Sequence, residues 1–497
     1  NEEIEMRRNG MLLPIASLPS PYGIGGFSKE AYEFIDLLEE TGQKLWQILP
    51  LGPTSYGDSP YQSFSTFAGN PYFIDLDTLA EKGWLTKEAC EASDYGDNES
   101  YIDYGRIYNS RFVLLKQAFL NSDILSDEKF TEFCKANQHW LPDYALYMAL
   151  KNQNDGKSWI EWEEEIRLRK PEAVEYYKKE LEEECNFYEF LQYEFHEQWT
   201  KVKEYAHKKG IQIVGDVPIY VAFDSADTWA NPELFQLDEK NLPLGVAGCP
   251  PDAFSATGQL WGNPLYNWAY HKKTGYDWWL KRIAYCFDLY DIVRIDHFRG
   301  FDEYYSIPYG DETAVNGHWE KGPGMDLFNT VKEKLGELDI IAEDLGFLTE
   351  SVFQLLKDSG YPGMKVLQFA FDPSEDSDYL TYKYQRNCVV YTGTHDNDTT
   401  AGWFEKLSDG DKEVALRYMN SFYTPKEEQH WDLIALAMRS TADTCIIPVQ
   451  DFLGLGSEAR INMPSTLGDN WKWRMTKGAF SEELKEKIRR MTKLYGR

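Results

Sequence analysis

The stretch Asp291-Ile-Val-Arg-Ile-Asp296 is a short apolar, β-branched run that ends in a carboxylate. Two later stretches follow the same pattern, Asp339-Ile-Ile-Ala-Glu343 and Val389-Val-Tyr-Thr-Gly-Thr-His-Asp396. Runs of this kind are typical of buried strands in a parallel sheet. The carboxyl ends of such strands carry the active site of a parallel barrel. The three terminal acids, Asp296, Glu343 and Asp396, therefore predict one shared site at the mouth of a barrel.

Similar apolar runs, bounded by Gly, Pro or Asp, recur between helix-like stretches along the chain. This alternation is typical of a parallel sheet with crossover helices. We expect eight strands, the number that closes an α/β fold of the (β/α)8 TIM barrel class. Their predicted ranges are Met11–Ala16, Leu45–Leu49, Ile211–Val217, Ile292–Ile295, Ile340–Glu343, Lys365–Phe369, Val389–Thr392 and Cys445–Val449. Amphipathic patterns predict helices over Lys29–Thr41, Ser351–Asp358 and Trp431–Ser440.

Two connections are longer than a bare barrel needs. Residues 76–209 are charged and helix-prone, so we expect a mainly helical insertion after the second strand. Residues 220–279 are rich in Pro, Gly and aromatic residues and show little periodicity, so we expect an irregular insertion after the third strand. The length alone is compatible with two to four smaller domains, but we predict that 1–497 is a single catalytic barrel with these insertions.

The composition restricts the partners of the chain. Its formal net charge of −31 would repel phosphate backbones and anionic lipids, so we expect neither nucleic acid nor membrane as a partner and favour a neutral substrate. The 7 cysteines and 8 histidines show no metal-ligand spacing, which predicts a reduced, cytoplasmic protein without a metal ion. The stretch Gly10-Met-Leu-Leu-Pro-Ile-Ala-Ser-Leu18 contains a proline and is shorter than the roughly 20 residues of a membrane helix, so we interpret it as a strand.

Arg294 and Asp296 are two residues apart on a predicted strand and therefore share one face. A neighbouring arginine favours the ionised form of a carboxyl group, which suits a nucleophile. A purely structural Arg–Asp ion pair explains these residues equally well. The loop-like sequence His297-Phe-Arg-Gly300 that follows favours the catalytic interpretation.

Glu343 follows three apolar residues, and partial desolvation there favours the protonated acid, which can donate a proton to a leaving oxygen. An ion pair with some Lys or Arg is the alternative for this residue. The cluster His395-Asp-Asn-Asp398 lies at a glycine-broken strand end, where one acid can instead cap a helix that starts near Thr399. Helix capping does not explain all four residues of the cluster.

These acids suit chemistry on sugars. Two carboxyl groups about 5–5.5 Å apart permit double displacement at a sugar carbon with retained configuration. A third carboxylate beside them would bind sugar hydroxyls. Aromatic residues make up 15% of the chain, and most of them serve packing, but those in loops offer flat apolar faces to sugar rings.

Several segments between Gly10 and Arg474 occur, in the same order, in one known family. They are Gly52-Pro-Thr54, Ser59 to Pro71, Gly215 to Tyr220, Pro250 to Pro264, Arg294 to Gly300, Ala342 to Gly346, Gly393 to Asn397 and Asn470 to Arg474. In these segments the chain resembles the amylomaltases, the 4-α-glucanotransferases of glycoside hydrolase family 77. So many ordered matches are far more specific than any single one of them.

The resemblance implies that Asp296 is the nucleophile, Glu343 the general acid/base and Asp396 the stabiliser of the transition state. It also implies a set of substrate-binding residues near the cleaved bond: Tyr61, Asp216, Arg294 and His395. An active-site loop at 247–263 would guide the acceptor glucan with Asp252, Phe254, Ser255, Trp261 and Asn263, and Phe369 is a further predicted substrate-binding residue. Cys249 and Ala253 depart from the valine and the larger residue that the family often carries, which bears on acceptor preference.

The implied activity is the transfer of α-1,4-glucan segments between maltooligosaccharides. Transfer conserves the glycosidic bond, so we expect no cofactor. An α-1,4-glucan hydrolase with the same three acids is the nearest alternative. A non-catalytic glucan-binding protein on a decayed barrel and a metal-dependent isomerase on an unrelated barrel are more distant ones, because fold alone does not determine function.

Overall fold

The computed structural model describes residues 7–253, 255–374 and 376–497. Its strands are β1 (Arg8–Leu12), β2 (Leu45–Gln47), β3 (Gln212–Val217), β4 (Gly245–Cys249), β5 (Gln259–Pro264), β6 (Ile292–Ile295), β7 (Glu303–Pro308), β8 (His318–Lys321), β9 (Ile340–Ala342), β10 (Gly363–Val366), β11 (Cys388–Tyr391) and β12 (Thr444–Pro448). Eight of these strands close into a parallel barrel in the order β1-β12-β11-β10-β9-β6-β3-β2. The predicted (β/α)8 barrel is therefore confirmed.

Each predicted strand overlaps one barrel strand, but two of them extend three or more residues too far. The first was expected to reach Ala16, whereas β1 ends at Leu12, because Pro14 lacks the N–H that a ladder needs and a 3-10 turn follows at Ile15–Ser17. The sixth was expected to reach Phe369, whereas β10 ends at Val366 and Leu367–Phe369 forms another 3-10 turn.

The first group of helices covers the chain before β3. They are α1 (Lys29–Glu40), α2 (Leu76–Glu81), α3 (Lys87–Ala92), α4 (Tyr104–Asn121), α5 (Glu128–Ala136), α6 (Leu141–Gln153), α7 (Glu164–Arg167), α8 (Pro171–Glu180) and α9 (Glu182–Lys208). Helix α1 buries an apolar face and ends just before Gly42, whose φ of 78° favours glycine. Helices α2 to α9 lie between β2 and β3, and α6 packs in a separate apolar cluster with Trp159 and Trp229.

The remaining helices follow β3. They are α10 (Ala226–Ala230), α11 (Trp268–Lys273), α12 (Asp277–Leu289), α13 (Met325–Leu335), α14 (Glu350–Ser359), α15 (Thr400–Lys406), α16 (Asp409–Met419), α17 (Gln429–Arg439), α18 (Val449–Phe452) and α19 (Glu482–Leu494). Helices α14 and α17 match their predicted ranges within two residues. No helix in the described ranges combines the length and the apolar character that a membrane crossing requires.

A second sheet lies outside the barrel, and the sequence did not predict it. It has four antiparallel strands in the order β5-β4-β7-β8, and two of these strands come from the segment 220–279 that we expected to be irregular. Gly248 shows why β4 lacks the β-branched pattern of a strand. A Cβ at this position would lie 2.2 Å from the Gln259 carbonyl oxygen, so the close approach of the two strands requires glycine.

Candidate active site

Asp216, Asp296 and Glu343 lie at the carboxyl ends of three neighbouring barrel strands. In the strand register, Asp216 is paired with Arg294, and Ile295 is paired with Ala342. Asp296 and Glu343 are the next residues after this second pair, on adjacent strands that run roughly 5 Å apart. The backbone ladder continues through both acids, since the Asp296 N–H donates to Val217 at 2.9 Å and the Glu343 N–H to Ile295 at 3.1 Å. The two predicted catalytic acids are therefore side by side at the barrel mouth.

Arg294 bridges two carboxylates. Its Nη1 lies 2.8 Å from Asp216 Oδ1 and 3.3 Å from Asp296 Oδ1, and the arginine itself is almost fully buried. Burial raises the pKa of Asp296 to about 6; Arg294 opposes this rise, and Asp216 adds to it. Arg294 lowers this pKa as the sequence predicted, but desolvation outweighs an ion pair that is shared with Asp216, so the net shift is upward. A pKa near 6 still leaves Asp296 mainly ionised at neutral pH.

Glu343 has the opposite protonation state. Burial raises the pKa of Glu343 to about 8, and the neighbouring charge of Asp296 adds to the rise. The backbone N–H of His297 donates to Glu343 Oε2 at 2.8 Å. His297 has a φ of 50°, a conformation that is uncommon outside glycine and is often found at functional sites. This turn holds one oxygen of Glu343 in place. Its hydrogen bond opposes the rise in pKa, but burial outweighs it and the acid is protonated at neutral pH.

Asp396 is held by residues on two loops. Its Oδ2 lies 3.3 Å from His395 Nε2, and its Oδ1 accepts a hydrogen bond of 2.8 Å from the Asn462 side chain. Burial by itself would raise the pKa of Asp396, but His395, Asn462 and Arg294 outweigh it, and the pKa lies well below the ordinary value. Helix α15 is capped by Thr399 instead, so capping does not account for Asp396.

Asn462 and Arg460 are site residues that the sequence reasoning missed. Asn462 binds the Asp396 carboxylate, and Arg460 Nη2 donates to the Asp396 carbonyl at 2.6 Å. Their only sequence signal is an Arg and an Asn in the stretch Arg460-Ile-Asn-Met-Pro464, which carries no periodic pattern.

Tyr61 connects the two sides of the site. Its hydroxyl donates to Asp216 Oδ2 at 2.5 Å and lies 3.5 Å from His395 Nδ1. The rings of Tyr61 and His395 stack at 5.0 Å, and Trp471 lies 5.8 Å from Tyr61. Arg294, Asp216, Tyr61, His395 and Asp396 thus form one continuous chain of polar contacts around the barrel mouth.

The predicted loop residues differ in their surroundings. Trp261 packs edge-on against His297 at 4.8 Å, the residue whose backbone N–H binds Glu343. Asn263 is buried and donates to the Val221 carbonyl at 2.9 Å, so its amide nitrogen is bound to the backbone. Asp252 accepts the Ser255 N–H at 2.8 Å in an exposed turn, and Phe254 lies outside the described residues.

Phe369 and Cys249 complete the predicted set. Phe369 is 43% exposed in the turn after β10, with its ring edge-on to Tyr379 at 5.4 Å. Burial raises the pKa of the Cys249 thiol to about 12, Arg299 opposes the rise and Glu343 adds to it, so the thiol is neutral at neutral pH. Within the described ranges, no group of three His, Cys, Asp or Glu side chains is arranged to hold a metal ion.

Asp451 anchors the loop that carries His395 and Asp396. It lies in α18, is 2% exposed, and accepts hydrogen bonds from Thr392 Oγ1 at 2.7 Å and from the Thr400 N–H and Oγ1 at 2.8 and 2.7 Å. Thr392 and Thr400 flank the loop, so one buried carboxylate holds both of its ends.

We expect Asp451→Ala to lower kcat by up to about 100-fold, because small displacements of a catalytic group are costly. Buried donors left without an acceptor cost about 1–3 kcal/mol each, so the melting temperature should also fall. Asp451→Asn keeps an acceptor oxygen and the volume, and it should retain more activity. Steady-state kinetics and thermal unfolding of both variants provide the measurement. An alanine variant with wild-type kcat would contradict the anchoring role.

Known proteins resemble this chain over almost its whole length. A family model described as 4-alpha-glucanotransferase matches residues 13–480. The 4-alpha-glucanotransferase of Clostridium butyricum is 55% identical over 485 residues, covering 97% of this chain and 99% of that protein. The 4-alpha-glucanotransferase of Streptococcus pneumoniae is 48% identical over 502 residues, covering 99% and 98%.

Solved structures agree with the sequence comparisons. The amylomaltase from Streptococcus agalactiae, solved in complex with acarbose, has a TM-score of 0.95 at 43% identity and covers 99% of both chains. The amylomaltase from Corynebacterium glutamicum, at 18% identity, shares the fold with a TM-score of 0.78 over 99% of this chain and 75% of that one. The family resemblance in the sequence is thereby confirmed, and the chain belongs to the 4-alpha-glucanotransferases of glycoside hydrolase family 77.

Proposed function

We propose that this enzyme transfers α-1,4-glucan segments between maltooligosaccharides through a covalent intermediate on Asp296. The observation that carries the proposal is that Asp296 and Glu343 directly follow a paired position, Ile295 with Ala342, on adjacent strands, with pKa values near 6 and 8. At about pH 7 the first is ionised and the second is protonated, as a nucleophile and a general acid require.

In the first step, an Asp296 carboxylate oxygen attacks the anomeric carbon of the donor. The bond from this carbon to the glycosidic oxygen breaks, and the Glu343 proton moves to that oxygen. The hydrogen bond from His297 occupies Oε2, which leaves Oε1 to carry the proton. The products are a departing sugar with a free 4-hydroxyl and a glycosyl ester on Asp296.

In the second step, Glu343 acts as a base. It takes the proton of an acceptor 4-hydroxyl, whose oxygen attacks the anomeric carbon and displaces Asp296. Both displacements occur at the same carbon, so the configuration is retained. Asp396, whose lowered pKa keeps it ionised, stabilises the positive charge that develops on the sugar ring in both steps.

The surrounding residues position the sugar. Tyr61 presents a ring that is supported by His395 on one side, and Arg294 and Asp216 form the polar floor. Trp261 packs against His297, whose backbone binds Glu343, and its ring favours a sugar acceptor over water. Because the Streptococcus agalactiae amylomaltase was solved in complex with acarbose, we propose that the same compound binds this cleft.

Incubation with maltotriose alone tests the proposed transfer. We expect glucose together with maltopentaose and longer oligomers, because loss of glucose leaves a maltosyl group that is added to a second maltotriose. The total of reducing ends should not change, because each transfer conserves one glycosidic bond. Chromatography of the products and a reducing-end assay provide the measurement. A steady gain in reducing ends without elongation would instead identify an α-1,4-glucan hydrolase.

A further inference from the structure

We propose that Trp319 and Phe347 form an aromatic platform that binds the acceptor glucan beyond the sugar unit that receives the transferred segment. This proposal rests on the proposed transfer function and adds a binding site outside the catalytic residues. Three kinds of observation support it: the positions of the two rings, their exposure and the residue that joins them.

Phe347 lies in the loop that follows the catalytic strand β9. It comes four residues after Glu343, and four residues span at most about 14 Å, so the ring lies within a few sugar units of the acid. Phe347 is 86% exposed, an unusual environment for a phenylalanine in a loop with several backbone contacts. The Gly346 N–H donates to the Tyr379 hydroxyl at 3.4 Å, and the Phe347 carbonyl accepts a hydrogen bond from Arg299 at 2.9 Å.

Trp319 lies on β8, the edge strand of the four-stranded sheet. Two other strands of this sheet, β4 and β5, carry the 247–263 loop, so Trp319 and the loop share one rigid support. Trp319 pairs with Tyr305 across the sheet, and the two rings meet edge-on at 5.2 Å. The indole remains 38% exposed to solvent.

Arg299 joins the two aromatic residues. It lies three residues after Asp296, and its guanidinium carbon is 4.3 Å from the centroid of the Trp319 ring, while Nη1 binds the Phe347 backbone. The arginine therefore packs on the indole ring and orients it, while 38% of the residue stays exposed for a ligand to contact. A single side chain from the nucleophile's loop thus positions both parts of the platform.

The chemistry of the platform fits a neutral sugar chain. Exposed aromatic faces stack on the C–H faces of sugars, and exposed large apolar residues next to a catalytic cleft commonly mark a binding surface. Phe347 follows Glu343 in the loop after β9, and Trp319 contacts Arg299 of the nucleophile's loop, so both are joined to the loops that carry the catalytic acids. An acceptor of a single glucose is too short to reach them.

The test compares acceptors of different length with maltotriose as the fixed donor. Labelled glucose and labelled maltotetraose serve as acceptors for Phe347→Ala, Trp319→Phe and the double variant Trp319→Ala/Phe347→Ala. Tyr423→Ala, which alters a 98% exposed aromatic residue in the connection between α16 and α17, is the matched control. For the double variant we expect kcat/KM for maltotetraose to fall about 10-fold and the value for glucose to stay within about twofold.

Several outcomes separate this proposal from others. Equal losses for both acceptors, or no loss for either, would overturn the platform. A wild-type dimer that becomes monomeric in the double variant would also overturn it, because the rings would then form a subunit interface. Phe347→Ala keeps the test valid if the tryptophan variants fold poorly, since its ring is mostly in solvent. Absence of wild-type transfer to maltotetraose as well as to glucose would refute the proposed function itself.

Discussion

Asp296→Asn is expected to reduce glucan transfer by roughly 10⁴-fold or more, because a neutral amide cannot form the glycosyl ester. The substitution is nearly isosteric, and Arg294 keeps its shorter contact with Asp216 at 2.8 Å. The free energy of unfolding should therefore change little. Transfer rates with maltotriose, together with thermal unfolding, provide the measurement.

Asp302→Asn is the matched control for this variant. Asp302 lies six residues further along the same turn, where its carboxylate accepts a hydrogen bond from Ser351 at 2.7 Å on the outer side of the loop. We expect full activity from this control. An Asp296→Asn enzyme with turnover near that of the control would refute the role of Asp296.

Glu343→Gln is expected to lower the rate with maltooligosaccharide donors by about 10²–10⁴-fold, because the glutamine has no proton to donate to the leaving oxygen. The pH dependence should change with it. In the wild type, activity should fall below a pH of about 6 as Asp296 takes up a proton, and above about 8 as Glu343 loses its proton. The variant should keep the acidic limb and lose the basic one.

A donor whose leaving group needs no proton shows whether Glu343→Gln loses activity because it lacks the acid or because its structure is disturbed. An α-maltosyl fluoride should restore formation of the glycosyl-enzyme in Glu343→Gln, because fluoride departs without general acid catalysis. Glu350→Gln, at the exposed start of α14, is the matched control and should behave as the wild type. A variant that stays inactive with the fluoride, or that retains the basic limb, would contradict the assignment of Glu343.

The barrel strands were predictable because a buried parallel strand requires a continuous apolar run, and each run is local in sequence. The second sheet was not predictable from the sequence. Gly248 is needed because β4 and β5 approach closely at this position, and that contact between strands leaves no local sequence pattern. The end of β10 was misplaced for a similar reason, since the apolar run continues into a buried 3-10 turn at Leu367.

The three acids were found because each one ends an apolar run. Asn462 and Asp451 were missed because their partners lie 66 and 51 to 59 residues away, and no local pattern indicates such contacts. The net rise of the Asp296 pKa was not predicted, because it comes from burial in the closed barrel, which outweighs the lowering by the adjacent arginine. The pKa of Asp296 therefore depends on desolvation in the folded barrel, which the sequence motif does not show.

The central claim is that Asp296 carries the glucan between donor and acceptor. Mass spectrometry of peptides from Glu343→Gln, quenched after incubation with α-maltosyl fluoride, tests it most directly. The account predicts a maltosyl adduct on the peptide that contains Asp296, and its absence in the Asp296→Asn/Glu343→Gln double variant. An adduct on Asp396 or on another residue, or turnover of the fluoride with inverted configuration and no adduct, would contradict it.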